Sequence, residues 1–240
     1  MGTMRDLQER IEAIPSRLAV LRGRIGDAAA RAGRSADEVT VIAVTKSFPV
    51  ELIRGALDAG IRDIGENRVQ EGREKVEAVG RDAATWHLIG HLQTNKARWA
   101  LRYFDLIHSL DSIRLAEELQ KRAEIEDTVV RTLVQVNTSG EESKYGIAPG
   151  SLRSLLEAMP GLDRLRVEGL MTIAPFDERE AVVRPAFVGL RRLFEEVPSW
   201  GLPGVTMLHL SMGMSSDFEW AVAEGATMVR VGSVIFGPRE

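Results

Sequence analysis

With 240 residues, 44% of them hydrophobic and 28% charged, the chain has the apolar material for one large core and the charge to stay dispersed in water. A formal net charge of -4, with acids and bases interspersed, leaves no broad basic face for a nucleic-acid backbone, and the absence of cysteine excludes disulfides, thiolate metal ligands and a cysteine nucleophile. Residues 1–30 carry charge throughout with no continuous apolar run, so neither a signal peptide nor a membrane partner is expected, and the cytoplasm is the expected compartment.

Leu7, Ile11, Ile14, Leu18, Leu21 and Ile25 recur at spacings of four and three, one apolar stripe on a long helix. Residues 1–32 are therefore expected to form an N-terminal helix packed on the rest of the domain, with Pro15 bending or interrupting it. A seam for a weak dimer is the competing use of the stripe; a monomer is the expected state.

Beyond this helix, short runs rich in Val and Ile alternate with amphipathic segments, the rhythm of parallel βα units. Strands are predicted over 39–45, 61–64, 85–89, 106–108, 129–136, 166–170, 205–210 and 228–231. Helical segments lie over 50–58, 68–79, 96–101, 113–124, 151–159, 180–195 and 217–224. Eight such units in about the length of one α/β barrel predict a closed (β/α)8 TIM barrel spanning 1–240 as a single domain. The competing open doubly wound sheet needs a glycine-rich turn after its first strand, where this sequence has Thr45-Lys46-Ser47-Phe48-Pro49.

In such a barrel the working residues sit where strands run into loops at the C-terminal face. Lys46 closes the first strand and is one of five lysines beside twenty-six arginines. Partial burial there favours the neutral amine that can capture an aldehyde, although a surface lysine ending a strand explains the segment as well. Asn67, after the second strand, suits either a helix cap or an amide facing a ligand. His87 and His91 stand four apart, but Leu88-Ile89-Gly90 between them is strand-like, which argues against a helical zinc pair, and no metal is expected.

The run Leu210-Ser211-Met212-Gly213-Met214-Ser215-Ser216-Asp217 joins strand seven to a helix with small residues and hydroxyls, and Arg230-Val231-Gly232-Ser233 closes strand eight. Together they predict a phosphate cradle, since phosphate sites in these barrels are often built after strands seven and eight; turn chemistry with an N-cap at Ser216 or Asp217 accounts for either segment alone. Strand eight pairs with strand one on closure, so a phosphate there and an amine at Lys46 suit one small ligand. Pyridoxal 5'-phosphate (PLP), whose resting state is a lysine imine, satisfies both ends. Arg230 is placed to face the pyridine nitrogen, where a permanent cation disfavours protonation and weakens the ring as an electron sink; an ion pair elsewhere on the rim is the competing use.

The chain resembles the pyridoxal phosphate homeostasis proteins, also called the YggS/PROSC family, related to the barrel domain of bacterial alanine racemase. The resemblance is carried by Val44-Thr45-Lys46, Gly65-Glu66-Asn67 with Gln70-Glu71, Trp86-His87-Leu88-Ile89-Gly90 with Leu92-Gln93 and Asn95-Lys96, Asn137 with 139–146, Gly169-Leu170-Met171, Leu210-Ser211-Met212-Gly213-Met214-Ser215, and 228–237. It implies Lys46 as the imine lysine, Asn67 as a contact beside the ring, Arg230 as the partner of the pyridine nitrogen, and Ser211, Met212, Gly232 and Ser233 as the phosphate shell. Lys144 belongs to a motif of this family and is expected to be a solvated charge.

The resemblance further implies a non-catalytic holder of PLP in vitamin B6 balance, with apo forms of PLP-dependent enzymes as partners. The alternatives are an amino-acid racemase, a Schiff-base aldolase and a barrel that binds another phosphorylated metabolite without covalent chemistry. Racemisation needs an acid or base on each face of the substrate carbon, and the only tyrosines, Tyr103 and Tyr145, have no evident place opposite Lys46.

Overall fold

The computed structural model describes residues 4–141 and 144–238. Two helices, α1 (Met4–Glu12) and α2 (Ile14–Arg31), precede β1 (Thr40–Val44), α3 (Val50–Asp58), β2 (Asp63–Glu66), α4 (Val69–Val79), β3 (Thr85–Leu88), α5 (Ala97–Tyr103) and β4 (Leu106–Leu110). The second half runs α6 (Ile113–Ile125), β5 (Val130–Gln135), α7 (Leu152–Glu157), β6 (Leu165–Met171), α8 (Glu180–Glu196), β7 (Val205–Ser211), α9 (Phe218–Ala223), β8 (Met228–Val231) and α10 (Ser233–Phe236). All eight strands pair in parallel and in sequence order, and β8 returns to β1 to close the barrel. Every expected strand is present, its ends displaced by two residues at most.

The N-terminal helix expected from the stripe is interrupted near Pro15 and runs as two helices that meet at Ala13. Pro15 stands in the first turn of α2, where its missing N–H costs nothing; inside a continuous helix its ring would press on the carbonyl four residues back. Ile14, Leu18, Leu21 and Ile25 are buried within this chain, α2 packing on α9 and α10. This part of the stripe thus seals one side of the barrel.

Strand alternation decides what each residue faces, because successive side chains point to opposite sides of a sheet. Ile42, Leu106, Leu133, Met171 and Met228 form a small apolar cluster of their own inside the barrel, while Ala43, Ile64, Trp86, Leu88, Val229 and Val231 join the larger core beneath the helices. The inward parity of Ile42 and Met228 carries on to Lys46 and to Arg230 and Gly232. In register, Arg230 stands opposite Ile42, so the ends of β1 and β8 deliver an amine and a guanidinium to the same rim.

Candidate functional site

A cavity of about 630 Å³ opens at the C-terminal ends of the strands. Its wall contains Lys46, Asn67, Arg230, Gly232 and Ser233, five of the residues expected from sequence, together with the hydroxyl-bearing Ser215 and Ser216. Apolar surface comes from Val44, Ile89, Ile173 and Met214, and the almost fully exposed Phe176 stands at the edge. The volume lies within the usual range for small-molecule and cofactor sites.

Lys46 is half-buried just beyond β1. The next residue, Ser47, takes a left-handed conformation (φ 64°), and its amide donates to Glu71 Oε1 at 2.6 Å. Behind this turn Lys75 Nζ donates to Thr45 O at 2.6 Å and to Glu66 Oε1 and Glu71 Oε1, each at 2.7 Å. Glu66 also accepts from the Thr45 hydroxyl; burial pushes its carboxyl above the ordinary range against the pull of Lys75. A buried ionic clamp therefore ties the end of β1 to β2 and α4 directly beneath the candidate amine.

Asn67 lines the cavity, and the cap position of α4 falls to Arg68. Gly90 makes that placement feasible: a Cβ there would stand 2.2 Å from the Asn67 carbonyl oxygen. On the far wall, Gly213 has φ +91°, and a side chain there would meet Ala221 Cβ at 2.6 Å, so the turn after β7 can draw in against α9 only with glycine. Asp217 Oδ1 accepts from the Met214 amide at 2.5 Å within the turn after β7, and Ser215 Oγ accepts from the Gly232 amide at 3.2 Å, the bond that ties this turn to the end of β8. Asp217 heads α9 without a side-chain bond to the helix, so its carboxylate orders the preceding loop.

Arg230 is buried, and its guanidinium donates to Ser211 Oγ at 2.6 Å and to Thr172 O at 2.7 Å. Burial lowers its pKa to about 10, with Asp217 opposing the shift, so it remains a cation at neutral pH. Ser211 and Met212 are not brought to the cavity wall. Ser211 is fully buried below Arg230, while Met212 belongs to the core beneath the helices and its amide donates to Met228 O at 3.1 Å. Ser215 and Ser216, on the same loop, take the place at the wall.

His87 and His91 go to separate partners: His87 points inside the barrel to His108 and Asp63, and His91 pairs with Asp111 at 3.1 Å. Lys144, expected as a solvated charge, is largely covered and bridges two loops, donating to Glu141 Oε1 and Ala174 O at 2.7 Å each. Glu142 and Ser143 of the same motif lie outside the described residues. Tyr103 donates to Glu77 on the outer helices, and Tyr145 stacks on His91 with ring centroids 4.1 Å apart.

The model of the alanine racemase N-terminal domain family matches residues 18–240. The pyridoxal phosphate homeostasis protein of Aquifex aeolicus is 44% identical over 224 residues, 93% of this chain and 97% of that protein. This chain belongs to the pyridoxal phosphate homeostasis protein family. Among solved structures, an unknown protein from Bifidobacterium adolescentis superposes with a TM-score of 0.90 at 40% identity, covering 95% of this chain and 96% of that one. PipY of Synechococcus elongatus, solved with PLP bound, superposes with a TM-score of 0.80 at 39% identity over 93% of this chain and all of that one. Membership agrees with the closed barrel. Among the described residues, no helix is long and apolar enough to cross a membrane.

Proposed function

We propose that this chain holds PLP at the barrel mouth as part of vitamin B6 homeostasis, with Lys46 as its covalent anchor and without turnover of a substrate. The observation that carries this reading is the single cavity that joins Lys46 at the end of β1 to Arg230, Gly232 and Ser233 at the end of β8. When bound, PLP supplies an aldehyde that an amine can capture and a phosphate ester that amides and hydroxyls can hold. The donor set fits both: an amine on one wall, and Ser215, Ser216, Ser233 and Gly232 on the other. The PLP-bound relative supports the same occupant.

Arg230 supports holding over catalysis. A guanidinium that stays charged beside a pyridine nitrogen disfavours its protonation, and an unprotonated ring withdraws electrons poorly. The racemase alternative needs a second acid or base opposite Lys46, whereas Tyr103 is engaged by Glu77 and Tyr145 by His91. Apo forms of PLP-dependent enzymes in the cytoplasm are the recipients this reading expects.

The test is the absorbance spectrum of purified protein after PLP addition, followed by borohydride reduction and peptide mapping. Wild type is expected to carry the pyridoxyl label on Lys46, and Lys46→Ala to lose it while keeping its fold by circular dichroism. An undiminished imine band in Lys46→Ala, or no band in wild type at saturating PLP, overturns the assignment. Conversion of an L-amino acid to its D form by the labelled protein would favour the racemase.

A further inference from the structure

A file of polar side chains crosses the barrel from its floor to the candidate site. Asp63 Oδ1 lies 2.9 Å from His87 Nε2, His87 Nδ1 lies 3.0 Å from His108 Nε2, and His108 Nδ1 lies 3.0 Å from Ser211 Oγ, the atom that accepts from Arg230 at 2.6 Å. Asp63 opens β2 and so stands at the N-terminal face, opposite the cavity. His87, His108, Ser211 and Arg230 are all buried and come from four different strands.

We propose that Asp63, His87 and His108 form a relay of fixed hydrogen-bond polarity that orients the Ser211 hydroxyl and makes His108 a positioning residue for Arg230. The inference rests on the proposed role of Arg230 beside a bound cofactor, but its structural core does not depend on any ligand.

The polarity follows from counting donors. An ionised carboxylate only accepts, so His87 must donate from Nε2, and a neutral imidazole then has only an acceptor at Nδ1. His108 must therefore donate from Nε2 and accept at Nδ1. Its neutral form is favoured by complete burial, reinforced by the neighbouring Arg230 cation. Among the described residues the donor facing His108 Nδ1 is the Ser211 hydroxyl, which leaves the lone pairs of Ser211 Oγ toward the Arg230 guanidinium. Thr172 O holds the other terminal nitrogen of Arg230. The guanidinium is thus fixed from behind at two points, and its remaining N–H groups are available to the cavity.

The other charged or titratable groups near this file are His209 with Glu168, at 3.8 Å on β7 and β6, and Asp217 on the loop near Arg230. Neither His209 nor Asp217 is bonded to the file itself, so the order of donors is set from Asp63. Simple packing would require aromatic volume at 87 and 108 but no particular tautomer.

The first test reads the tautomers of PLP-free protein by long-range 1H–15N correlation with 15N-histidine. His87 and His108 are both expected to carry the proton on Nε2; a His108 proton on Nδ1 overturns the proposal. In Asp63→Asn the amide can accept or donate, and His108 is expected to become a mixture of tautomers, whereas an unchanged His108 also overturns it. The second test titrates the absorbance of the PLP-loaded protein against pH. His108→Gln, which can donate and accept in the same sense, should keep the wild-type midpoint, and His108→Phe should move it by on the order of one pH unit with Lys46 still labelled. If His108→Phe does not fold, Ser211→Ala is titrated in its place, and a wild-type midpoint in the variant used overturns the link to Arg230. Absence of a label on Lys46 in wild type counts against the proposed function; the tautomer result judges the relay independently.

Discussion

Single residues in this chain have roles set by which way their strand turns them. His108 is held neutral by burial, its pKa well below the ordinary 6.5, so the unfolded chain takes up a proton here before the folded chain does. Stability from this group is fully present above pH 6.5 and falls as the pH drops through that value toward the folded pKa, by at most about 1.4 kcal/mol per pH unit. Denaturant melts at pH 7.5 and 5.5 should show that loss in wild type, and a smaller one in His108→Gln. Gly90→Ala should cost about 1–3 kcal/mol, because its Cβ would intrude on the Asn67 carbonyl, and should weaken PLP binding through displacement of Asn67; unchanged stability and binding would show that the loop yields freely.

At the same scale, Lys46 was legible because it closes a Val- and Ile-rich run, and Arg230 because it lies just before the Gly232-Ser233 pair that follows the last strand. Met212 was not, although the means to place it were present. It shares the outward parity of Leu210, whereas Ser211 shares that of His209 inside the barrel, so an alternation count would have assigned the methionine to the outer core. Ser215 and Ser216 stood in the recognised hydroxyl-rich turn, but only the close approach at Gly213 shows that they, and not the two residues before it, reach the wall. Phe176 lies on a loop whose path no periodicity encodes.

Among the elements, β2 and α4 are joined by a charge cluster that the sequence did not single out. Glu71 and Lys75 stand one helical turn apart, an unremarked surface pairing until Glu66 and Thr45 draw the ammonium inside. Breaking a buried pair leaves a charge without a partner and costs about 3–5 kcal/mol, whereas replacing both partners costs much less. Lys75→Met should therefore be strongly destabilised, and Glu66→Gln with Lys75→Met should recover part of the loss in the same urea melt. No recovery would mean that Thr45 and Glu71, and not the Glu66 charge, make Lys75 indispensable. Element boundaries were legible to within two residues because the alternation of apolar runs with turn residues marks them; the break at Ala13 was signalled by Pro15, but whether a proline bends or divides a helix depends on packing that a stripe does not specify.

Across the whole molecule, the N-terminal helices and the cavity are mechanically connected through the C-terminal end of the described chain. Arg10 donates to Phe236 O and Pro238 O, each at 3.1 Å, and Arg17 to Ile235 O at 3.4 Å, so α1 and α2 satisfy carbonyls in and just beyond α10. The first residue of α10, Ser233, is on the cavity wall, and Gly232 immediately precedes it. An interaction more than two hundred residues distant in sequence therefore helps hold one side of the proposed phosphate shell. Losing a charged hydrogen bond at a partly exposed site is worth roughly 1 kcal/mol, or about fivefold in a rate. Arg10→Ala with Arg17→Ala should release PLP severalfold faster, measured by transfer of the cofactor to an excess of an apo-enzyme trap, while labelling of Lys46 at saturating PLP remains complete. Release at the wild-type rate would confine these arginines to stability, where a lowered melting temperature would still record them; release at an altered rate would make the N-terminal helices part of the machinery that retains the ligand.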